Sequence, residues 1–199
     1  MCKSITDSVI SGSLSYFTAA CLILTAKPEY IWLGFFVFIV GSMQWIDAII
    51  WYFKSKGIPS INVEKYGIIT ILILEPLIAY LGYVYYTNQR LIPYEIVYGF
   101  SAVFMVYTWI KNCEESTITN DRYLKWCNID FNNIVTKTIY ILLLFVPFLY
   151  FPDKILMAGL MITAGSLWIY NLNNEAFGSK WCHSFYLLDI LILLRLLTN

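Results

Sequence analysis

Ile31-Trp32-Leu33-Gly34-Phe35-Phe36-Val37-Phe38-Ile39-Val40-Gly41-Ser42-Met43-Gln44-Trp45-Ile46-Asp47-Ala48-Ile49-Ile50-Trp51-Tyr52-Phe53 carries one charged side chain, Asp47, and decides the fold class. A run this long and apolar matches the hydrocarbon core of a bilayer, which a helix of about 20 residues spans. The rest of the chain is of the same kind. Of 199 residues, 59% are hydrophobic, 18% aromatic and only 13% charged, too apolar for a soluble domain of this size.

Working outward, we read seven such runs: Ser8 to Ala26, Ile31 to Phe53, Gly67 to Thr87, Ile92 to Ile110, Ile134 to Phe151, Lys154 to Asn174 and Lys180 to Leu197. The expectation is an all-α membrane protein, one polytopic domain over residues 1–199, with its N-terminal helix retained rather than cleaved as a signal. Lys27-Pro28-Glu29 and Pro152-Asp153-Lys154 break adjacent runs and read as tight turns. Trp32, Trp51, Tyr85, Tyr86, Trp109, Tyr150 and Trp181 fall near span ends, where amphipathic rings sit at headgroup level.

Nine lysines and arginines (Lys3, Lys54, Lys56, Lys65, Lys111, Arg122, Lys125, Lys137, Lys180) lie on the N-terminal side and four (Lys27, Arg90, Lys154, Arg195) opposite. By the positive-inside rule the N-terminus is expected in the cytoplasm. The loop from Lys111 to Asn133 would then be cytoplasmic, and Cys113 and Cys127 reduced. The five cysteines show no CxxC spacing and are odd in number, which argues against a disulfide framework or a zinc site.

A gap-free shift of 124 residues lays Pro28-Glu29 on Pro152-Asp153, Gly41-Ser42 on Gly165-Ser166, Asp47 on Asn171 and Tyr16 on Tyr140. Spans 1 to 3 and 5 to 7 therefore read as parallel copies joined by span 4, a 3+1+3 plan. The third and seventh spans do not share the register, yet each holds one acid, Glu75 and Asp189.

An ionisable group within the membrane costs about 2.5 to 3.5 kcal/mol on insertion scales, so those retained face a bundle interior or a cavity. Counting the helix rise from the N-terminal-side ends puts Asp47 about 9 Å, Gln44 about 13 Å, Glu75 about 12 Å and Asp189 about 12 Å deep. Asn171 and His183 lie shallower, with Lys137 the cation that would offset the acids. The candidate site is thus an intramembrane polar pocket of Gln44, Asp47, Glu75, Lys137, Asn171, His183 and Asp189, open toward the N-terminal side. The alternative is that these groups hydrogen-bond one another only to hold helices together, at about 0.6 kcal/mol per contact. Pro76 beside Glu75 is expected to free a carbonyl toward the pocket. Ser11, Ser15 and Ala19, and Gly159 with Thr163, read as close-packing positions.

Enzyme chemistry finds little support. His183 is the one histidine, too few for a zinc hydrolase; the last span has no lysine for a retinal Schiff base; and there is no phosphate loop, GxSxG or basic run for nucleic acid. No catalytic residue, cofactor or metal is assigned. The expected partners are the lipid bilayer and either other membrane proteins or a small polar solute.

Met43-Gln44-Trp45-Ile46-Asp47 through Trp51, Leu74-Glu75-Pro76-Leu77 and Phe177-Gly178-Ser179-Lys180-Trp181-Cys182 together resemble a family of multi-span membrane proteins encoded by giant (nucleocytoplasmic large) DNA viruses and algae. That family's pattern is similar to M-Q-x-x-E-x-x-x-W, then Q-P, then G-S-x-W-C, and no activity is established for it. Here Asp47 stands for the glutamate and Glu75 for the glutamine, so roles that depend on charge do not carry over. The resemblance implies a virion or host membrane. The 3+1+3 plan is also similar to that of small sugar transporters and PQ-loop proteins, without their mid-helix Pro-Gln pair. Two functions stay open: a viral membrane component, or a small solute or proton-coupled transporter.

Overall fold

The computed structural model describes residues 4–118, 124–128, 134–171 and 177–198, and for residues 128, 134, 170–171 and 177–184 the backbone alone. Among the described residues there are seven α-helices: α1 (Ile5–Leu24), α2 (Pro28–Ser55), α3 (Ile69–Thr87), α4 (Ile92–Asn112), α5 (Ile134–Phe145), α6 (Lys154–Asn171) and α7 (Phe177–Leu197). Residues 5–24, 28–55 and 63–87 are helical, long and apolar enough to cross a membrane, so the chain is a membrane-embedded helical protein. Large apolar side chains also stay on the surface: Phe100 of α4 is 76% exposed and Ile162 of α6 72%.

Helix ends follow local chemistry. The Ser4 hydroxyl accepts from the Asp7 amide and caps α1. Pro28 opens α2 three residues before the expected start, its missing N–H costing nothing in a first turn. Gly57, at φ 65, ends the same helix, and Asn88, at φ 54, ends α3. Asp153 caps α6 by accepting from the Ile155 and Leu156 amides, 3.1 and 3.3 Å away. Pro147 stops α5 early, and the chain continues as a 3-10 turn from Val146 to Tyr150.

The helices pack in the cyclic order α1, α2, α3, α5, α6, α7 and back to α1, while α4 lies outside against α3 and α5. Small residues set the tightest contact. A Cβ on Gly41 of α2 would lie 2.7 Å from the Ser15 Cβ of α1, and one on Gly12 would lie 2.9 Å from the Trp45 ring. Ser11, Ser15 and Ala19 accordingly face inward.

Two expectations are corrected here. Cys113 and Cys127 are joined in a disulfide, with Cα atoms 4.5 Å apart. Their loop folds back as a hairpin, β1 (Thr117–Ile118) on β2 (Leu124–Lys125), which brings its two ends together. An odd cysteine count cannot reveal such a local pairing. Trp32 and Trp109 are not interfacial but buried: Trp32 stacks on Phe148 at 4.9 Å, and the Trp109 indole donates to the Glu64 carbonyl at 3.4 Å. Beside Pro76, the phenols of Tyr98 and Tyr94 on α4 donate to the Ile73 and Pro76 carbonyls, whereas the carbonyl that the proline leaves without its amide partner is that of Leu72.

Candidate functional site

Asp47, Glu75 and Asp189 are all buried, and each is held by a donor from a different element. Tyr140 of α5 donates its phenol to Glu75 Oε2 on α3. Ser15 of α1 donates to Asp189 Oδ2 on α7, 2.6 Å away. The Trp126 indole, on the loop between α4 and α5, donates to Asp47 Oδ1 at 2.7 Å. Buried carboxyl oxygens demand partners, so these bonds fix which faces the helices turn inward. Glu75 Oε1 and Asp189 Oδ1 are buried with no hydrogen-bond partner among the described residues, and so are the hydroxyls of Ser8, Ser11 and Thr18. Those hydroxyls continue the α1 face that carries Ser15.

The three acids do not share one depth, as the helix count suggested. Gly67, in the π-helical segment Val63–Ile68 that leads into α3, sits on Ile46 of α2, and Gly82 of α3 sits on Trp32, so Glu75 falls level with about residue 39 of α2. Ser15, which holds Asp189, meets Gly41. Glu75 and Asp189 therefore lie near one level in mid-bundle, and Asp47 about 9 to 12 Å closer to the N-terminal side. Counting from proposed helix ends failed because α3 is preceded by a π-helical segment, Val63–Ile68, and α7 begins three residues before its expected start.

Gln44 is buried one turn deeper than Asp47, against Gly12 of α1. Lys137 is buried on α5, one turn to the N-terminal side of Tyr140. The side chains of Asn171 and His183 lie outside the described residues.

Two structures bound this polar interior. On the side away from the N-terminus, Phe36 of α2 meets Phe148 at 4.7 Å, Phe185 of α7 at 6.1 Å and Phe145 of α5 at 6.5 Å. Such a cluster excludes water by filling the space between helices with rings. On the N-terminal side the disulfide-tied loop covers the bundle. Its anchor is Glu64, in the π-helical segment, whose carboxylate accepts from the Ser60 hydroxyl and from the amides of Ser116 and Cys127 at 2.8 and 3.1 Å. Lys54 adds a bond to the Ser116 carbonyl at 2.6 Å.

Sequence reasoning missed Glu64, Trp126 and Tyr140. Tyr140 carried a usable signal, since it aligns with Tyr16 under the 124-residue shift. Glu64 and Trp126 lie outside the apolar runs and carried none. No protein-family model matches the chain, and neither a curated protein nor a solved structure is similar to it.

Proposed function

We propose that the chain is a seven-span carrier of 3+1+3 plan that takes a proton or a small cationic, hydrogen-bonding solute into a polar interior reached from the N-terminal side. The observation that carries this reading is the unmatched polar chemistry of the interior. Glu75 and Asp189 each offer a buried oxygen with no partner among the described residues, and the buried hydroxyls of Ser8, Ser11 and Thr18 on α1 are likewise unmatched. Groups kept only for packing would be expected to satisfy one another.

The packing order supports the repeat. Exchanging α1 with α5, α2 with α6 and α3 with α7 maps every neighbour in the ring onto another neighbour, α1 on α7 becoming α5 on α3. The same exchange carries the Ser15–Asp189 bond to the Tyr140–Glu75 bond, with donors one residue off the 124-residue register. Two half-sites facing each other across an axis along the membrane normal are a recurrent carrier arrangement.

The orientation we favour follows the disulfide. Disulfides persist in oxidising compartments, so the Cys113–Cys127 loop, and the N-terminus with it, belongs on the non-cytoplasmic side. Lys137, buried within α5, drops out of the lysine and arginine count that points the other way, leaving eight against four. The second reading, a virion or host membrane component, draws on the inter-helix bonds, which would hold a bundle together without any solute.

Proteoliposomes loaded with a pH-sensitive dye and offered small cations separate the two. The carrier reading expects flux that Asp189→Asn and Glu75→Gln reduce at least tenfold while the variants still fold. Absence of flux for protons and for a panel of alkali and organic cations, with both variants folding as the parent does, would favour the component reading.

A further inference from the structure

The entry turns of α2 and α6, which the 124-residue shift superposes, meet in space at the end of the bundle away from the N-terminus. The Tyr30 phenol donates to Asp153 Oδ2 at 3.2 Å, and Arg195 of α7 closes the third side with an ion pair to the same oxygen at 2.9 Å. Between them lies a cleft of about 450 Å³ whose lining includes Lys27, Glu29, Tyr30, Asp153, Lys154 and Arg195. This cleft is separate from the polar interior, with the cluster around Phe36 between the two.

Its charges are unequal. Asp153 is committed to Arg195, to the Tyr30 phenol and to two backbone amides of α6. Lys27 and Lys154 form no ion pair among the described residues; Lys27 rests over the Tyr30 ring, 5.3 Å from its centroid. Glu29 is the one other acid in the lining. The first turn of α2 also points into this region and has no side-chain cap, so its amide hydrogens add to the positive field of the two lysines.

We propose that this cleft binds a phosphate group, presented by a phospholipid of the adjacent leaflet, with Lys27 and Lys154 as its ammonium donors. A lysine is a point-charge donor suited to a phosphate that approaches from several directions. The height fits a headgroup: the cleft lies at the mouth of two apolar helices, and Tyr150 nearby is half exposed as interfacial rings are.

The test uses the full chain in a non-ionic detergent, titrated by calorimetry with dihexanoyl phosphatidic acid, with inorganic phosphate and with dihexanoylglycerol. Saturable binding of the phosphatidic acid and none of dihexanoylglycerol is expected. The pair Lys27→Gln/Lys154→Gln weakens it at least tenfold, and Lys27→Arg/Lys154→Arg keeps it within threefold, which shows that the site is intact. If inorganic phosphate binds as tightly as the lipid, the phosphate chemistry stands and its source is soluble. The proposal is overturned if neither phosphate source binds the parent chain, if the glutamine pair binds as the parent does, or if Lys56→Gln/Lys65→Gln on the opposite side weakens binding as much.

Discussion

Replacing Tyr140 by phenylalanine removes one oxygen and leaves the ring packing of α5 in place, yet it strips Glu75 of its hydrogen bond. Glu75 is 1% exposed, and its other carboxyl oxygen already lacks a partner among the described residues. Leaving a buried polar group unmatched costs about 1 to 3 kcal/mol. At about 2 to 4 °C per kcal/mol for a chain of this size, Tyr140→Phe should melt about 2 to 12 °C below the parent protein. The same argument predicts a rescue. In Tyr140→Phe/Glu75→Leu both partners of this bond are apolar and the Glu75 acceptor is no longer stranded, so the loss should be smaller than the sum of the two single effects. Thermal unfolding in detergent, followed by tryptophan fluorescence over the four-protein cycle, gives the coupling directly. A single variant that melts with the parent, or a double variant that loses the sum of the two single effects, would refute the reasoning.

Further outcomes follow from other parts of the fold. Cys113→Ser/Cys127→Ser opens a loop of about 15 residues and should destabilise the protein by up to about 3 kcal/mol, with the parent chain shifting on a gel when reduced and the variant not. Gly41→Val should destabilise more than Gly99→Val, because a Cβ at Gly41 meets Ser15 at 2.7 Å while Gly99 faces open space; comparative melting of the two checks this. For Asp153, burial raises the carboxyl, but the Arg195 bond and two backbone amides outweigh it and hold the group below the usual carboxylate range. A depressed folded pKa stabilises above the unfolded value and is lost on acidification. The stability gap between the parent and Asp153→Asn should thus be constant above about pH 5 and close as pH falls below about 4, measured as melting temperature against pH.

The sequence displays the apolar runs because lipid-facing helices leave an unmistakable compositional trace, and the turns at Pro28 and Pro152 because each proline sits beside charged residues between two such runs. Proline alone does not mark a turn, since Pro76 lies inside α3; the acids are displayed too, since Asp47, Glu75 and Asp189 stand out against apolar neighbours. What stays hidden is relative height. The π-helical segment before α3 and the early start of α7 shift the count, and only contacts such as Gly67 with Ile46 recover it. The loop from Cys113 to Asn128 is equally silent, because its role depends on Trp126 reaching Asp47 and on Glu64 gathering two amides, neither of which has a periodic signature. Trp32 misled for a related reason: a tryptophan near a helix end fits the headgroup region or the core equally well until Phe148 is seen beneath it.

Phenylalanine rings close the polar interior at one end and the Trp126 loop closes it at the other. The most direct measurement is the rate at which a membrane-impermeant thiol reagent modifies Ser11→Cys, with Cys2, Cys21 and Cys182 replaced by serine, added separately to each face of sealed vesicles. Modification from the N-terminal side alone, at least tenfold faster once Trp126→Ala loosens the loop, is the predicted result. Equal rates from both faces, or an unreactive thiol in both backgrounds, would contradict it.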